Sequence, residues 1–359
     1  MPFFIFFRIK LRLLSLIIVY LQSIFLKQIN METVVSGIRP TGNLHLGNYF
    51  GALRNFIKMQ DENRCFFFVA DLHSLTTHPH PDDLSGNVRQ VLSEYIASGL
   101  DPEKVTLFVQ SDIPEISEMY VLLNMLAYVG ELERTVSFKD KVRQQQNNVN
   151  AGLLTYPVLM AADILVHRPS KVPVGKDQGQ HLEMTRIYAR RFNNMYNVKF
   201  FPEPEAYNFG DNLIKIPGLD GSGKMGKSEN NGIFLIDDEK TITKKVMRAV
   251  TDSGPTVPNS EMPEIIQNLF TLLKVVSSPD TVQYFTDKYN SCEIRYGDLK
   301  KQLAEDICKV TLPIRKQILD IHENTEYLRK ITKLGAEKAR ENASETVKEA
   351  KKIIGFNRF

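Results

Sequence analysis

From residue 33 onward, short runs of β-branched and aromatic residues alternate with longer stretches whose apolar residues recur every three or four positions. That alternation constrains the fold more than any other feature of the chain. Strands separated by helix-length segments pair in parallel when the helices cross over and cover the faces of the sheet. The spacing predicts strands over 33–38, 65–70, 105–110 and 171–174, each ending near small, polar or glycine residues. Helices are predicted over 49–60, 83–98, 116–129, 153–166 and 178–194; in the first, Leu53, Phe56 and Ile57 share a face. The polar tract 142–150 reads as a mobile connection.

Beyond Asn231 strand signals stop after a short apolar run at 233–236, and the remaining segments are helical and charged. A last helix over 332–354 carries Ala336, Ala339, Ala343, Val347, Ala350 and Ile354 as a narrow apolar stripe suited to docking on another element. The expected fold class is therefore α/β, a Rossmann-type parallel sheet with flanking helices, followed by a helical C-terminal domain. The boundaries read as a sheet domain over 31–215, a mobile loop over 216–232, a helical domain over 233–330 and a C-terminal helix over 331–359.

The 359 residues, 43% apolar and 24% charged, suffice for a full core and two domains. Lys and Arg number 45 against 42 Asp and Glu, so a nucleic-acid partner must be held by a local basic face. Cys65, Cys292 and Cys308 are dispersed, which suggests neither a zinc site nor a disulfide framework and leaves a reduced, cytoplasmic setting as the expectation. The first thirty residues stand apart. Apolar runs at 3–7 and 13–26 are interrupted by Arg8, Lys10 and Arg12, and both fall short of the roughly 20 residues of a membrane span. They read as an extension upstream of a start at Met31; a signal anchor is the rival reading, and only then would a membrane be involved.

Two stretches carry chemistry. In 36–48, SGIRPTGNLHLGN, a predicted strand ends in a glycine-rich loop and opens a helix. Gly37 and Gly42 permit close backbone approach to a ligand, and the helix start offers unpaired N–H groups. His45 and Asn48 lie one turn apart and can face the same ligand. By itself such a loop is more often an ordinary tight turn, and it lacks the G-x-G-x-x-G dinucleotide spacing. In 224–228, KMGKS, two lysines follow Pro217, Gly218, Gly221 and Gly223, so they are presented on a loop able to close over a triphosphate. Residues 221–228 also satisfy the P-loop pattern, which would make the chain a P-loop NTPase, but a P-loop leads into a helix and ENNGIFLIDD does not.

Together the TGNLHLGN and KMGKS elements resemble the two signatures of class I aminoacyl-tRNA synthetases. GELER at 130–134, LLTYPVLMAADIL at 153–165, VPVGKDQGQH at 172–181 and AVTDS at 249–253 sharpen the resemblance to the bacterial or organellar tryptophanyl-tRNA synthetases, from about Thr33 to the C-terminus. The resemblance implies ATP contacts at Arg39, Pro40, Thr41, Gly47, Asn48, Gly175, Lys176, Asp177 and Ile216, and a triphosphate-binding loop of Lys224, Met225, Gly226, Lys227 and Ser228. It implies catalysis by His45, Lys224 and Lys227 without a covalent nucleophile, and magnesium arriving with ATP but no dedicated protein metal site. For L-tryptophan it implies Asp163 as acceptor of the indole N–H, Tyr156 and Gln178 on the α-ammonium, and Val35, Gly37, Met160, Val172 and Val174 around the ring. Without the motifs, Met160, Val172 and Val174 would read as core, whereas a carboxylate in an apolar helix is costly unless paired. Departures from the family are Arg39 for a common Gln, Gly226 for a common Ser, and Val35 where some relatives are aromatic.

The reaction so implied is formation of tryptophanyl-adenylate and pyrophosphate, then transfer of tryptophan to tRNA(Trp), by a homodimer whose helical C-terminal region reads the anticodon. A tyrosyl-tRNA synthetase shares the fold and both signatures and is the nearest rival; a catalytically silent RNA-binding relative is a further one.

Overall fold

The computed structural model describes residues 31–144, 148–175, 178–207, 215–227 and 229–356, so the N-terminal extension lies outside the described residues. Five parallel strands, β1 (Thr33–Ile38), β2 (Arg64–Val69), β3 (Thr106–Val109), β4 (Lys171–Val172) and β5 (Glu205–Ala206), form one sheet in the order β3-β2-β1-β4-β5. Val35 lies opposite Phe66, Phe68 opposite Phe108 and Val34 opposite Lys171. Alternation along the strands sends Val34, Phe67, Val69 and Leu107 into one apolar cluster and Val35, Phe66, Phe68 and Phe108 into the other. Both faces are thus covered, which is why β2 reads as a nearly unbroken apolar run.

The four predicted strands are present, with ends shifted or shortened by up to two residues. β5 carries no such signal because both its residues are exposed; it is held by Glu205 N–H to Ser170 O and Tyr207 N–H to Val172 O, each 2.9 Å. The run at 233–236 is not a strand. Phe234 makes one antiparallel bridge with His45, flanked by Leu46 N–H to Ile233 O and Leu235 N–H to Leu44 O at 2.9 Å.

The helix expected over 49–60 begins earlier, as Leu46–Asn48, a π turn over Tyr49–Leu53 and Arg54–Met59. Pro81–Ala97, Ala151–Leu165 and Gly179–Tyr196 lie close to expectation. The helix expected over 116–129 is instead Pro114–Asn124 followed by a separate turn, Val129–Leu132: apolar periodicity continues through Leu126, but Met125, Tyr128 and Val129 face solvent. A Val136–Gln144 helix takes in the start of the tract read as a connection; with few apolar residues it leaves no stripe in the sequence.

Among the described residues no helix is long and apolar enough to cross a membrane. The C-terminal half shares the core of the sheet: one cluster runs from Val34 and Phe67 through Ile233 and Ile242 to Leu303 and Ile307. The Tyr296–Glu323 helix packs on Pro81–Ala97 and on Glu239–Met247. The last helix, Thr325–Ile354, starts before 332 because the Asn324 side chain accepts from Tyr327 N at 3.0 Å and caps it there. It runs along the outer edge of β3, with Leu328 and Ile331 in one face cluster and Ala339, Ala343 and Ala350 in the other. The crossing point is Gly335, where a Cβ would stand 1.8 Å from the Leu107 carbonyl oxygen. Only glycine lets the helix approach that closely, and the edge strand is thereby covered.

Candidate active site

The chain reverses its direction of travel through the sheet between β1 and β4, and open α/β sheets bind ligands beyond the strand C-termini at that point. A cleft of about 830 Å³ lies there, lined by Gly37 and Ile38 at the end of β1, by Arg39 just beyond it, and by Pro173, Val174 and Gly175 after β4.

Its inner end is apolar around one acid. Val35, Met160, Val172 and Val174 line the cleft, and Asp163, one turn from Met160, is 2% exposed. His73 Nε2 lies 2.9 Å from Asp163 Oδ2, and Gln110 Nε2 donates to Oδ1 at 2.6 Å. Burial raises the Asp163 pKa; the His73 contact and the Gln110 hydrogen bond pull against it. Neither partner stands out in the sequence, yet each follows a sheet strand, β2 or β3, on the side where such sheets place their sites.

Beside this end, His181 links three side chains. Its Nε2 lies 2.5 Å from Tyr156 Oη and 2.9 Å from Ser137 Oγ, and its Nδ1 lies 2.9 Å from Gln178 Oε1. Lys141 Nζ sits 3.8 Å from the centre of the Tyr156 ring. Burial, then the nearby Arg39 charge, pushes the Lys141 ammonium down to about 8.

Toward the mouth the glycine-rich loop contributes Arg39, Thr41 and Asn48. His45 caps the following helix: its Nδ1 accepts from Asn48 N–H at 3.2 Å while Asn48 Oδ1 accepts from His45 N–H at 3.1 Å. A Cβ on Gly47 would come within 2.8 Å of that imidazole, so the close turn needs glycine. His45 is 6% exposed, and burial, Lys227 and Lys224 lower its pKa to about 4. A neutral ring whose Nδ1 accepts carries its proton on Nε2 and can donate a hydrogen bond there. Behind the loop, both carboxylate oxygens of the fully buried Glu94 accept from Leu44 N–H, at 3.0 and 3.1 Å.

The lysine loop closes against this one. Lys227 Nζ donates to Gly42 O at 2.7 Å, and burial pushes it down to about 8, with Glu94 opposing and Arg39 adding to the fall. Asn231 clamps the loop: its amide donates to Asp220 Oδ1, Ser222 Oγ and Lys224 O, and its Oδ1 accepts from Gly226 N–H at 2.9 Å. Arg39, Lys141 and Lys227 thus converge on one cleft. Like charges gathered and partly buried are unfavourable alone, and an anion between them relieves the cost.

Residues 29–311 match the family described as tRNA synthetases class I (W and Y). The chain belongs to this family. It is 64% identical over 326 residues to the tryptophan-tRNA ligase of Porphyromonas gingivalis, spanning 91% of this chain and 100% of that protein. Its identity to the ligase of Clostridium tetani is 43% over 331 residues, 91% of this chain and 96% of that one. The structure resembles that of the Campylobacter jejuni tryptophanyl-tRNA synthetase complexed with ADP and tryptophan, with a TM-score of 0.81 at 33% identity, covering 90% of this chain and 99% of that one.

In this class I synthetase the cleft brings together thirteen of the residues singled out in the sequence: Val35, Gly37, Arg39, Thr41, Asn48, Tyr156, Met160, Asp163, Val172, Val174, Gly175, Gln178 and Lys227. Pro40, His45, Gly47 and Gly226 flank it without lining it. Lys224 is exposed outside it, and Ile216 and Met225 are buried, joined by Met225 N–H to Ile216 O at 3.0 Å. Lys176, Asp177 and Ser228 lie outside the described residues. The P-loop pattern has no phosphate-cradling helix: among the described residues the next helix is Glu239–Met247.

Proposed function

We propose that this synthetase activates L-tryptophan with Mg-ATP, giving tryptophanyl-adenylate and pyrophosphate, and then passes the tryptophanyl group to the terminal ribose of tRNA(Trp). One observation carries the reading: a single cleft joins a buried carboxylate among apolar walls to three cations, Arg39, Lys141 and Lys227, that line the same cleft. An indole has one donor and a large apolar face, which an acceptor in such a pocket selects over side chains lacking that donor. Asp163 accepts the ring N–H; Met160, Val172, Val174, Val35 and Gly37 enclose the ring; Tyr156 and Gln178 hold the α-ammonium.

ATP enters across Arg39, Pro40, Thr41, Gly47 and Asn48, with Gly175, Lys176, Asp177 and Ile216 toward ribose and adenine, and the loop Lys224, Met225, Gly226, Lys227 and Ser228 over the triphosphate. A tryptophan carboxylate oxygen attacks the α-phosphorus as the bond to pyrophosphate breaks. No side chain becomes covalently attached. His45 donates from Nε2, and Arg39, Lys141, Lys224 and Lys227, with the magnesium carried by ATP, neutralise charge on the leaving pyrophosphate. The transfer step needs tRNA over the cleft, with the helical C-terminal region reading the anticodon in the cytoplasm.

Exposed Val121, Met125, Tyr128, Val129 and Val136 cluster in a short stretch of chain and support a homodimer interface. The deciding assay is pyrophosphate exchange with tryptophan against tyrosine. Exchange with tryptophan alone is expected; exchange driven by tyrosine, or release of the γ-phosphate without any amino acid, would refute the reading.

A further inference from the structure

We infer that Gln110 is a positioning residue for indole recognition, its amide locked by the Leu72 backbone so that the Asp163 carboxylate is held as an acceptor toward the substrate ring N–H. The inference rests on the tryptophan reading above. Gln110 opens the turn after β3 and is fully buried. The oxygen and nitrogen of an amide side chain are interchangeable in shape, so shape alone does not orient a glutamine, and beside an acid its orientation follows the protonation of that acid. Here a backbone group removes the ambiguity. Leu72 N–H can only donate; it lies 3.1 Å from Gln110 Oε1 and shares its proton with Asp71 Oδ1 at 3.0 Å. The Gln110 oxygen therefore faces Leu72 and its NH₂ faces Asp163 Oδ1, at 2.6 Å. Asp71 Oδ1 also accepts from Ser111 N–H at 3.0 Å, tying the chain after β2 to the chain after β3 and stiffening the frame.

His73 does not do the same work. Its Nε2 stands 2.9 Å from Asp163 Oδ2, but an imidazole nitrogen donates or accepts according to its tautomer, so it is compatible with either form of the acid. The Gln110 NH₂ is satisfied only when Asp163 Oδ1 accepts. It thereby opposes two states that would disturb recognition: a carboxyl group turned away from Gln110 about its last torsion, and one protonated at Oδ1, which would set a donor against the amide. Selectivity for a ring N–H then depends on Gln110 as well as on the acid.

The test compares tryptophan with β-(3-benzothienyl)alanine, in which sulfur replaces the ring N–H, in pyrophosphate exchange by the full chain. Absence of tryptophan-dependent exchange in the unaltered protein would remove the tryptophan reading itself. Given that exchange, Gln110→Met keeps the volume and loses both amide groups. The ratio of kcat/KM for tryptophan over its sulfur analogue is expected to fall about tenfold or more, through KM for tryptophan, with KM for ATP unchanged. A Gln110 that merely supports the fold would slow both substrates by one factor and leave the ratio at its original value, which overturns the inference. If Gln110→Met does not fold, Gln110→Glu keeps the acceptor toward Leu72 and puts oxygen where NH₂ stood. The same fall is expected, and an unchanged ratio again overturns it.

Discussion

Lys227 Nζ donates to the carbonyl oxygen of Gly42 at 2.7 Å, across a separation of 185 residues, so the second signature rests on the loop of the first. This cationic part of the cleft exists only where these two segments meet. Lys227→Ala is expected to lower tryptophan-dependent exchange by about a hundredfold or more while leaving tryptophan affinity unchanged. The chain contains no tryptophan, so emission anisotropy of the bound amino acid reports binding directly. Full exchange activity in this variant would remove Lys227 from the mechanism.

Asp163→Asn replaces an acceptor by an amide that also offers a donor to the indole. Tryptophan KM should rise about a hundredfold, with ATP KM little changed, because a site built to pair a donor loses most when that pairing is lost. Equal effects on both substrates would indicate damage to the fold rather than to recognition.

Glu94 is pushed up from 4.5 to about 7, first by burial, with Gln90, Leu44 and Lys227 opposing. Between those values the unfolded chain has released the proton and the folded chain has kept it, so this group lowers stability as pH rises through that window, by roughly 3 kcal/mol in all. Urea denaturation of Glu94→Gln, which still accepts from Leu44 N–H, should show a gain over the parent that is near zero at pH 4.5 and grows toward pH 8. A gain independent of pH would contradict the assignment.

A methyl group at Gly335 would meet the Leu107 carbonyl oxygen at 1.8 Å, and that oxygen belongs to a strand that cannot move aside. Gly335→Ala should cost about 3 kcal/mol or more by forcing the last helix off the edge of β3. The denaturation midpoint checks this; an unchanged midpoint would mean that the edge contact is not close.

Val129 is 59% and Met125 75% exposed beside Tyr128. Val129→Asp should shift the mass seen by light scattering from dimer to monomer. A parent protein that is already monomeric at micromolar concentration would rule out the interface.

Much of this was legible in advance. Short β-branched and aromatic runs revealed four of the five strands, and the strand-loop-helix junction at 36–48 located one wall of the cleft. Of the site residues, those on motifs were visible through the resemblance those motifs carry; locally only the acid in an apolar helix stood out. Gln110, His73, His181, Lys141 and Glu94 were not, because each is an ordinary residue whose role comes from a neighbour far along the chain. β5 and the Val136–Gln144 helix escaped for the complementary reason: they are held by backbone pairing or packing without an apolar stripe of their own.

Local chemistry in the sequence thus determined most of the strands and helices and the α/β class, since these depend on side-chain periodicity and backbone freedom, while the two signature loops were marked by their resemblance to a family. The tertiary structure alone decided that burial and two lysines hold the His45 pKa low, that Asp163 has two partners, and that Lys227 meets Gly42. Burial and charge at a side chain are set by what packs around it, and the groups that pack there come from segments separated by tens to hundreds of residues.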